Sequence, residues 1–348
     1  MADIVGHWKN LAEAQKLTQS MLLQGVVEEI LEEGSLLPII PPMQINGKSL
    51  LYNREKTWNA ADGAGFFDVH EQIPWTSDVE YTAQVEVELK RVARQSPWDK
   101  FIQATYGSIN DYRAIVLSEV RKRCMRFVED RLLYGDKTAR PKEFDGLHSL
   151  AGPLTGDNNI DQGEAALSLL NLRAAVDAVK PQMAGSENVA ILLPGVLNRR
   201  IDQGYQEAGF VRASVTVSPM SVMVNGVEIG GRVKTFDGIP MIRSDYLVAE
   251  EANTGLTAAG RAKNTTGTKQ YSIFVIRFAL PMDKGFFLAF GGTGVGQGEF
   301  RPFEHTSFEK LEDFDAGGER LVSYLAPGIG ATWSIARITD ITDAAVLP

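Results

Sequence analysis

The sequence predicts an α+β fold in which a long β-hairpin and a long helix precede a region of mixed helices and strands. Residues 79–90, VEYTAQVEVELK, alternate apolar and polar side chains without a break, which is typical of a strand with one buried and one exposed face. Residues 111–134 carry apolar side chains at helical spacing. Later segments rich in β-branched and aromatic residues predict a sheet.

Composition limits the classes of function. The chain has 348 residues, 44% of them hydrophobic and 23% charged, as in folded proteins. No run of 18 apolar residues is present, so neither a transmembrane helix nor a membrane partner is predicted. The formal net charge of −9 argues against nucleic-acid binding by bulk charge. Cys124, the only cysteine, excludes an internal disulfide and a cysteine-based zinc site.

Motifs for catalysis are weak. The run Gly291, Gly292, Gly294, Gly296 and Gly298 follows a predicted strand, as a phosphate-binding loop would. It lacks the lysine and hydroxyl residue of such a loop, and Pro302 argues against a helix directly after it. No catalytic residue, cofactor or metal is predicted. A soluble enzyme that binds its ligand at this loop remains an alternative.

The N-terminal region predicts a helix and then an extended arm. Residues 11–33 carry apolar side chains on one helical face, and Gly34 marks its end. The following residues 36–43, LLPIIPPM, combine three prolines with aliphatic side chains. Because these aliphatic residues cannot form a core alone, they need a surface on which to lie.

The predicted hairpin pairs residues 48–58 with the strand at 79–90 and places residues 59–78 at its tip. A two-stranded ribbon is marginally stable in water, so its apolar face must be covered. Two coverings are open at this point. The ribbon packs on the core of its own domain, or it reaches over a neighbouring subunit.

Two helices are predicted after the hairpin. Ser96-Pro97 is typical of a helix start, and this short helix would run to Tyr106. Asn110 or Asp111 would cap the long helix that ends before Gly135. Cys124 belongs to its apolar stripe, while its basic opposite face is interpreted as solvated and ion-paired.

This order of elements, followed by Phe144-Asp145-Gly146-Leu147, resembles the major capsid proteins of tailed bacteriophages, which have the Hong Kong 97-like fold. Residues 34–55, 235–244 and the C-terminal SIARITDI add to the resemblance. The resemblance implies a non-enzymatic protein that assembles into the icosahedral head shell around a dsDNA genome. It would assemble in the host bacterial cytoplasm and end in the virion. The alternative with the same fold is an encapsulin-like nanocompartment shell.

The resemblance also implies a domain organisation. The expected parts are an N-terminal arm (1–45), an extended hairpin or E-loop (46–92), a peripheral domain with the long spine helix (93–150), an axial domain (151–297), the returning strands of the peripheral domain (298–326) and a C-terminal axial strand (327–348). Helices are expected at 164–179 and 192–204. The axial sheet is expected to contain residues 211–217, 234–242, 271–278 and 286–290.

In this family the E-loop lies across the adjacent subunit, which implies a set of inter-subunit contacts. They are Leu36, Leu37, Ile39, Ile40, Trp58, Phe66, Phe67, Trp75, Val79, Tyr81, Val85 and Val87. The glycine run from Gly291 to Gly298 would be a hinge where the chain leaves the axial sheet. The implied partners are copies of the chain in hexamers and pentamers, a portal, a separate scaffolding protein, a decoration protein, and packaged dsDNA by non-specific proximity.

Overall fold

The fold was obtained as a computed structural model. It describes residues 36–55, 66–72, 81–106, 111–179, 188–208, 215–218, 222–224, 227–229, 233–252, 261–264, 267–291, 303–311 and 315–347. The helix expected at 11–33 lies outside these ranges. Within them the strands form a five-stranded sheet, a seven-stranded sheet and two ribbons of two strands.

Five helices and sixteen strands follow one another in the described chain. The helices are α1 (Lys100–Tyr106), α2 (Tyr112–Tyr134), α3 (Leu147–Ala151), α4 (Leu169–Val179) and α5 (Gly195–Ala208). The strands are β1 (Pro42–Ile45), β2 (Ser49–Glu55), β3 (Tyr81–Glu88), β4 (Lys90–Asp99), β5 (Asn159–Ala165), β6 (Val189–Pro194), β7 (Val215–Ser218), β8 (Val222–Val224), β9 (Val227–Ile229), β10 (Val233–Phe236), β11 (Ile239–Ser244), β12 (Gln270–Arg277), β13 (Phe286–Gly291), β14 (Glu304–Phe308), β15 (Ala316–Ile329) and β16 (Ile335–Thr342).

The seven-stranded sheet contains three of the four segments that were expected to share one sheet, namely those around 211–217, 234–242 and 271–278. Its order is β5-β16-β12-β6-β11-β10-β7, and it is mixed, since β6–β11 and β5–β16 pair in parallel and the other pairs are antiparallel. The central strands β6 and β12 are buried almost throughout, which fits the apolar runs VAILL in β6 and IFVI in β12. Buried residues of α4 and α5 share one core with these strands.

The five-stranded sheet is built around β15. This strand pairs with β4 along one edge, and with β14 and β13 along the other. The short strand β1 adds to β13 in parallel. Trp98 of β4, Leu321 of β15 and the buried face of α2 form a separate small core.

The long helix α2 confirms the sequence prediction at both ends. The carboxylate of Asp111 accepts hydrogen bonds from Arg113 N and Ala114 N, and Gly135 follows the last turn. Tyr112, Val116, Val120, Cys124 and Val128 are buried, as their spacing predicts, whereas Phe127 is 44% exposed. Burial raises the pKa of the Cys124 thiol, which keeps it protonated in the core.

The prediction that a helix starts at Ser96-Pro97 is wrong, because the helix α1 begins at Lys100. Strand β4 continues to Asp99, and the carboxylate of Asp99 accepts a hydrogen bond from Phe101 N at 2.7 Å to begin α1. Pro97 is tolerated because β4 pairs with β15 alone among the described strands, so its other edge needs no ladder hydrogen bonds.

Three later boundaries also differ from the predictions. The helix expected at 192–204 begins at Gly195, because the apolar run before it forms the central strand β6. The helix expected at 164–179 begins at Leu169, after β5. Residues 286–290 form a strand as predicted, but β13 belongs to the five-stranded sheet rather than to the axial sheet. A pattern of apolar residues predicts that a segment forms a strand, but it does not predict which strands that segment pairs with.

Candidate assembly interface

The root of the β-hairpin packs against its own chain. Strands β2 and β3 pair antiparallel, as predicted, with Leu50 opposite Val87 and Tyr52 opposite Val85. Val87 is buried in the main core, and Leu50 and Tyr52 pack against that core. Tyr52 Oη also donates a hydrogen bond to the carbonyl oxygen of Ile329. The first of the two predicted coverings therefore applies to the described root.

The arm residues likewise lie on their own chain. Leu36, Ile39 and Ile40 are at most 4% exposed in the same core, and Leu37 is half-buried. The expectation that these aliphatic residues need a neighbouring subunit is corrected, because the three buried side chains have almost no surface left for one. Leu37 N donates to Glu129 Oε1 of α2 at 2.8 Å.

The hairpin tip is different. Phe66 and Val69 are almost fully exposed, at 107% and 96% of their reference areas, and Phe67 is 37% exposed. Val85 is half-buried near the root. The expected contacts Trp58, Trp75 and Val79, and the side chain of Tyr81, lie outside what the structure describes. The apolar surface that this chain leaves in water thus includes the segment around Phe66.

A cleft of about 370 Å³ opens at the hairpin root, between the hairpin and the body of the protein. Tyr52 and Arg54 line it from the hairpin, while Lys137, Leu154 and Pro327 line it from the body. Arg54 Nε donates to the carbonyl oxygen of Gly330 at 3.1 Å, which fixes one wall.

Three lysines converge on one carboxylate beside this cleft. The Nζ atoms of Lys90, Lys48 and Lys137 lie 2.8, 3.0 and 3.3 Å from Glu88 oxygens. Their hydrogen bonds, that of Lys90 first, hold the pKa of Glu88 to about 2. Glu88 therefore stays ionised over the working pH range and connects β3 to the loop after α2.

The turn motif Phe144-Asp145-Gly146-Leu147 closes back on the end of α2. Gly146 N donates to the carbonyl oxygen of Gly135 at 2.9 Å, and Phe144 and Leu147 are buried. A Cβ on Gly146 would lie 2.7 to 2.9 Å from three backbone atoms, so only glycine fits without a shift. The motif has a structural role, and Phe144 and Asp145 also line the cleft.

Charged side chains are buried together where the ends of α2 and α3 meet the seven-stranded sheet. Glu250 accepts hydrogen bonds from Tyr134 Oη at 2.9 Å and from Ser272 Oγ at 2.6 Å. Arg261 Nε donates to the same carboxylate at 3.1 Å, and Arg261 Nη2 donates to Asp340 Oδ1 at 2.5 Å. Asp340 sits at a β-bulge in β16 with a φ of 56°, which turns its side chain inward.

His148 and Arg337 complete this buried ionic cluster. His148 Nε2 lies 3.0 Å from Glu250 Oε1, and Arg337 Nη1 donates to the carbonyl oxygen of His148 at 3.1 Å. Burial lowers the pKa of His148, so the imidazole is neutral at neutral pH. Burial opposes the ionisation of Glu250, but the hydrogen bond from Ser272 and the charge of Arg261 outweigh it and keep the pKa of Glu250 below its ordinary value.

This cluster contains the residue types of a catalytic centre, but solvent does not reach it. His148, Glu250, Arg261, Arg337 and Asp340 are each at most 7% exposed, so a substrate cannot reach them. Two arginines balance two carboxylates, which is how buried charges are made tolerable. The cluster was missed in the sequence because its members lie far apart along the chain. Charged residues inside the apolar C-terminal strand were the only signal of it.

The predicted glycine hinge does not coincide with the crossing between sheets. The chain leaves the seven-stranded sheet after β12 and enters the five-stranded sheet at β13, so the crossing is residues 278–285. Gly291 ends β13, where a Cβ would lie 2.1 Å from Leu89 Cδ1. A side chain at this position would therefore require the Leu89 side chain to shift. Gly292, Gly294, Gly296 and Gly298 lie outside the described residues.

In the described ranges, no group of three or more histidine, cysteine, aspartate or glutamate residues is arranged to hold a metal ion. None of the helices that the structure describes is both long enough and apolar enough to span a membrane. No protein-family model matches the sequence, and no curated protein matches it.

Solved structures, in contrast, resemble the chain over nearly its whole length. The SrpI encapsulin of Synechococcus elongatus has a TM-score of 0.64 at 12% identity and covers 98% of both chains. The capsid of a native GTA particle has a TM-score of 0.59 at 12% identity, with 95% and 97% covered. The structure of Microbacterium phage Oxtober96 has a TM-score of 0.54 at 12% identity, with 95% and 98% covered.

At this level of identity the likeness shows the fold. It covers at least 95% of this chain in all three structures, so it includes both sheets, the hairpin root and the long helix. The α+β architecture expected from the sequence is confirmed. The chain therefore has the Hong Kong 97-like fold that these capsid and encapsulin structures share.

Proposed function

We propose that this protein is the major capsid protein of a tailed phage and assembles into an icosahedral shell around a dsDNA genome. The observation that carries the proposal is the full-length fold likeness to capsid structures. The function is structural rather than enzymatic. The ionisable cluster that could resemble a catalytic centre is closed to substrates, which supports this assignment.

The exposed hairpin tip supports the assembly part of the proposal. Phe66 and Val69 place apolar side chains in water, and contact with a neighbouring copy would bury them. Such a contact is heterologous, and heterologous contacts close into rings when the rotation between copies closes. Hexamers and pentamers of the chain would then form the shell through many modest contacts.

Further partners belong to the same proposal. They are a portal, a separate scaffolding protein, a decoration protein and the packaged dsDNA, with assembly in the host bacterial cytoplasm and final location in the virion. The domain organisation is also part of it, with an axial part built on the seven-stranded sheet and a peripheral part built on the five-stranded sheet. Strand β13 then belongs to the peripheral part and not to the axial range 151–297 expected from the sequence.

An encapsulin-like shell is the second candidate, and one observation favours it. The SrpI encapsulin has a higher TM-score with this chain, 0.64, than the capsid of the GTA particle or the phage structure has. Both candidates predict a closed shell and differ in its contents. A phage shell takes DNA, whereas an encapsulin shell takes protein cargo.

The test is to express the full chain and examine it by size-exclusion chromatography and electron microscopy. Megadalton particles with regular shells support the shell function, and a small, well-behaved oligomer that binds nucleotide contradicts it. Particles isolated from the natural source are then treated with nuclease. Protected dsDNA supports the phage assignment, while a protein cargo without DNA supports the encapsulin.

A further inference from the structure

The described part of the hairpin tip, residues 66–72, carries apolar and acidic side chains together. Phe66 and Val69 are 107% and 96% exposed, and Asp68 and Glu71 are exposed as well. Glu71 N donates to the carbonyl oxygen of Asp68 at 2.9 Å, and Asp68 N donates to Glu71 Oε2 at 3.0 Å, so these residues form a closed turn. The tip therefore presents a compact group of apolar side chains and two carboxylates to water.

The cleft at the hairpin root has room for such an apolar side chain. Its volume is about 370 Å³, and Leu150, Leu154 and Pro327 are among the apolar residues that line it. A cavity of about 150 Å³ holds a benzene molecule, so the ring of Phe66 fits with space to spare. Hydrogen bonds to residues 329–330 hold the hairpin wall in place. The cleft is therefore formed before a partner binds.

The cleft has an excess of positive charge on a chain that is negatively charged overall. Four cations lie in or beside it against three carboxylates, namely Arg54, Lys48, Lys90 and Lys137 against Glu86, Glu88 and Asp145. Lys48 and Lys137 are the most exposed of the three lysines around Glu88, with side chains 82% and 51% exposed against 16% for Lys90. Since the net charge of the chain is −9, such a site attracts acidic groups that the chain as a whole repels.

We propose that the hairpin tip of a neighbouring copy binds in this cleft, with Phe66 against the apolar wall and Asp68 and Glu71 directed towards Lys48 and Lys137. The inference rests on the proposed shell function, because it needs copies of the chain side by side, and it names the surface that receives the tip. The tip and the cleft are different surfaces of one chain, so the contact is heterologous and repeats from copy to copy until a ring closes.

The tip of the same chain fits the cleft less well. The pairing of β2 with β3 runs from Ser49 and Glu88 to Glu55 and Tyr81, and Phe66 lies eleven residues further along the chain than Glu55. Because the hairpin itself forms one wall of the cleft, its own tip would have to fold back over the strands that carry it. A tip from a second copy has no such constraint.

A crosslinking experiment tests the contact between full-length chains. Val69→Cys is made in one preparation, which keeps Phe66, and Pro153→Cys, at an exposed position of the cleft, in another. The two are co-assembled and treated with a short bismaleimide, to which the buried native Cys124 is closed. We expect a linked dimer whose peptide mass joins positions 69 and 153. Leu170→Cys, at a 68% exposed position on α4, replaces Pro153→Cys in the matched control and should link at least tenfold less.

The outcomes separate this contact from the shell function. Regular particles in electron micrographs without the 69–153 link overturn the contact and leave the shell function standing. A chain that forms no particles contradicts both. The double variant Val69→Cys with Pro153→Cys is also diluted into a large excess of wild-type chains. A link that persists within one chain would assign the cleft to its own tip and overturn the proposal.

Neutralising the exposed lysines gives an independent measurement. Lys48→Gln with Lys137→Gln, made in the Pro153→Cys chain, leaves Lys90 with Glu88 at 2.8 Å. Linking should slow roughly three- to tenfold, the effect expected of two exposed ion pairs, and the difference should shrink in high salt. Lys269→Gln with Lys310→Gln, at exposed positions elsewhere, is the control. Equal linking rates in the two lysine variants would overturn the proposed placement of the tip.

Discussion

Glu250 is the single residue on which the buried ionic cluster depends most. Its two carboxylate oxygens meet His148, Tyr134, Ser272 and Arg261. Glu250→Gln would leave Arg261 with one buried carboxylate instead of two. Breaking a buried pair typically costs about 3–5 kcal/mol. We expect a loss of that order in the free energy of unfolding, measured by denaturant titration of the full chain.

An exposed ion pair provides the control for Glu250→Gln. Arg243 pairs with Asp245 at 2.7 Å, and the Arg243 side chain is 63% exposed. Arg243→Gln should cost less than about 1 kcal/mol. If both variants lose the same stability, the cluster is not a major source of the stability of the fold.

His148 makes the fold sensitive to mild acid. Burial lowers its pKa in the folded state below the ordinary value of 6.5. Below about pH 6.5 the unfolded chain therefore binds a proton that the folded chain does not, and stability falls as the pH falls. His148→Gln should remove this part of the slope. Unfolding midpoints measured from pH 7.5 to 5 check it, and parallel curves for the two proteins would refute it.

Gly146 is required by close packing. A Cβ at this position would meet backbone atoms of Arg131, Gly135 and Leu132 within 2.9 Å, and backbone cannot move aside cheaply. We expect Gly146→Ala to lower stability by about 1–3 kcal/mol, the usual effect of overpacking. Gly318→Ala is the comparison, because its Cβ would find its nearest neighbour at 3.5 Å. Equal thermal midpoints for both variants would contradict this reading.

At the scale of elements, the arm meets α2 at Glu129. The pH dependence of stability that Glu129 contributes is opposite to that of His148. Burial raises the pKa of Glu129 to about 7, despite the hydrogen bond from Leu37 N. The folded chain thus keeps a proton that the unfolded chain loses above its ordinary pKa. Stability contributed by Glu129 is present below about pH 4.5 and is lost as the pH rises through about 7.

Glu129→Gln should remove that loss, because the amide oxygen still accepts from Leu37 N and carries no charge. We expect the variant to gain stability over the wild type as the pH rises from 5 to 8. The measurement is the difference in unfolding midpoint between the two proteins at each pH. A constant difference would show that Glu129 does not titrate in this range.

Helices and strands with strong local signals were predictable from the sequence, whereas the strands that pair with one another were not. The alternation in β3 and the Asp111 cap with Gly135 predicted the hairpin and α2 with nearly correct limits. The pairing of β13 with β15 depends on which apolar surfaces meet in the folded chain. Ser96-Pro97 imitates a helix start, but pairing with β15 extends β4 past it. Tertiary contacts override local preference in both cases.

At the scale of the whole molecule, the root and the tip of the hairpin differ in burial and therefore in the role each can have in assembly. The sequence predicted that the apolar hairpin residues must be buried. It did not predict that those of the root are buried against the core of the same chain. Val87 is 8% exposed, while Val69 is 96% exposed. The tip therefore has apolar surface to contribute to assembly. Of the expected contact residues, Phe66 and Phe67 are exposed there, beside Val69, which was not among them.

A double variant tests this division directly. Phe66→Asp with Val69→Asp should leave the fold intact, since neither side chain touches the core, and should prevent the burial of the tip between copies. Burying two such side chains is worth about 3–6 kcal/mol per contact, and the loss is repeated at every copy in a shell. We expect folded subunits with an unchanged thermal midpoint but no particles in electron micrographs. Leu170→Asp with Met282→Asp, at two other exposed positions, is the control and should still assemble. Normal particles from the tip variant would mean that the shell contacts lie elsewhere on the chain.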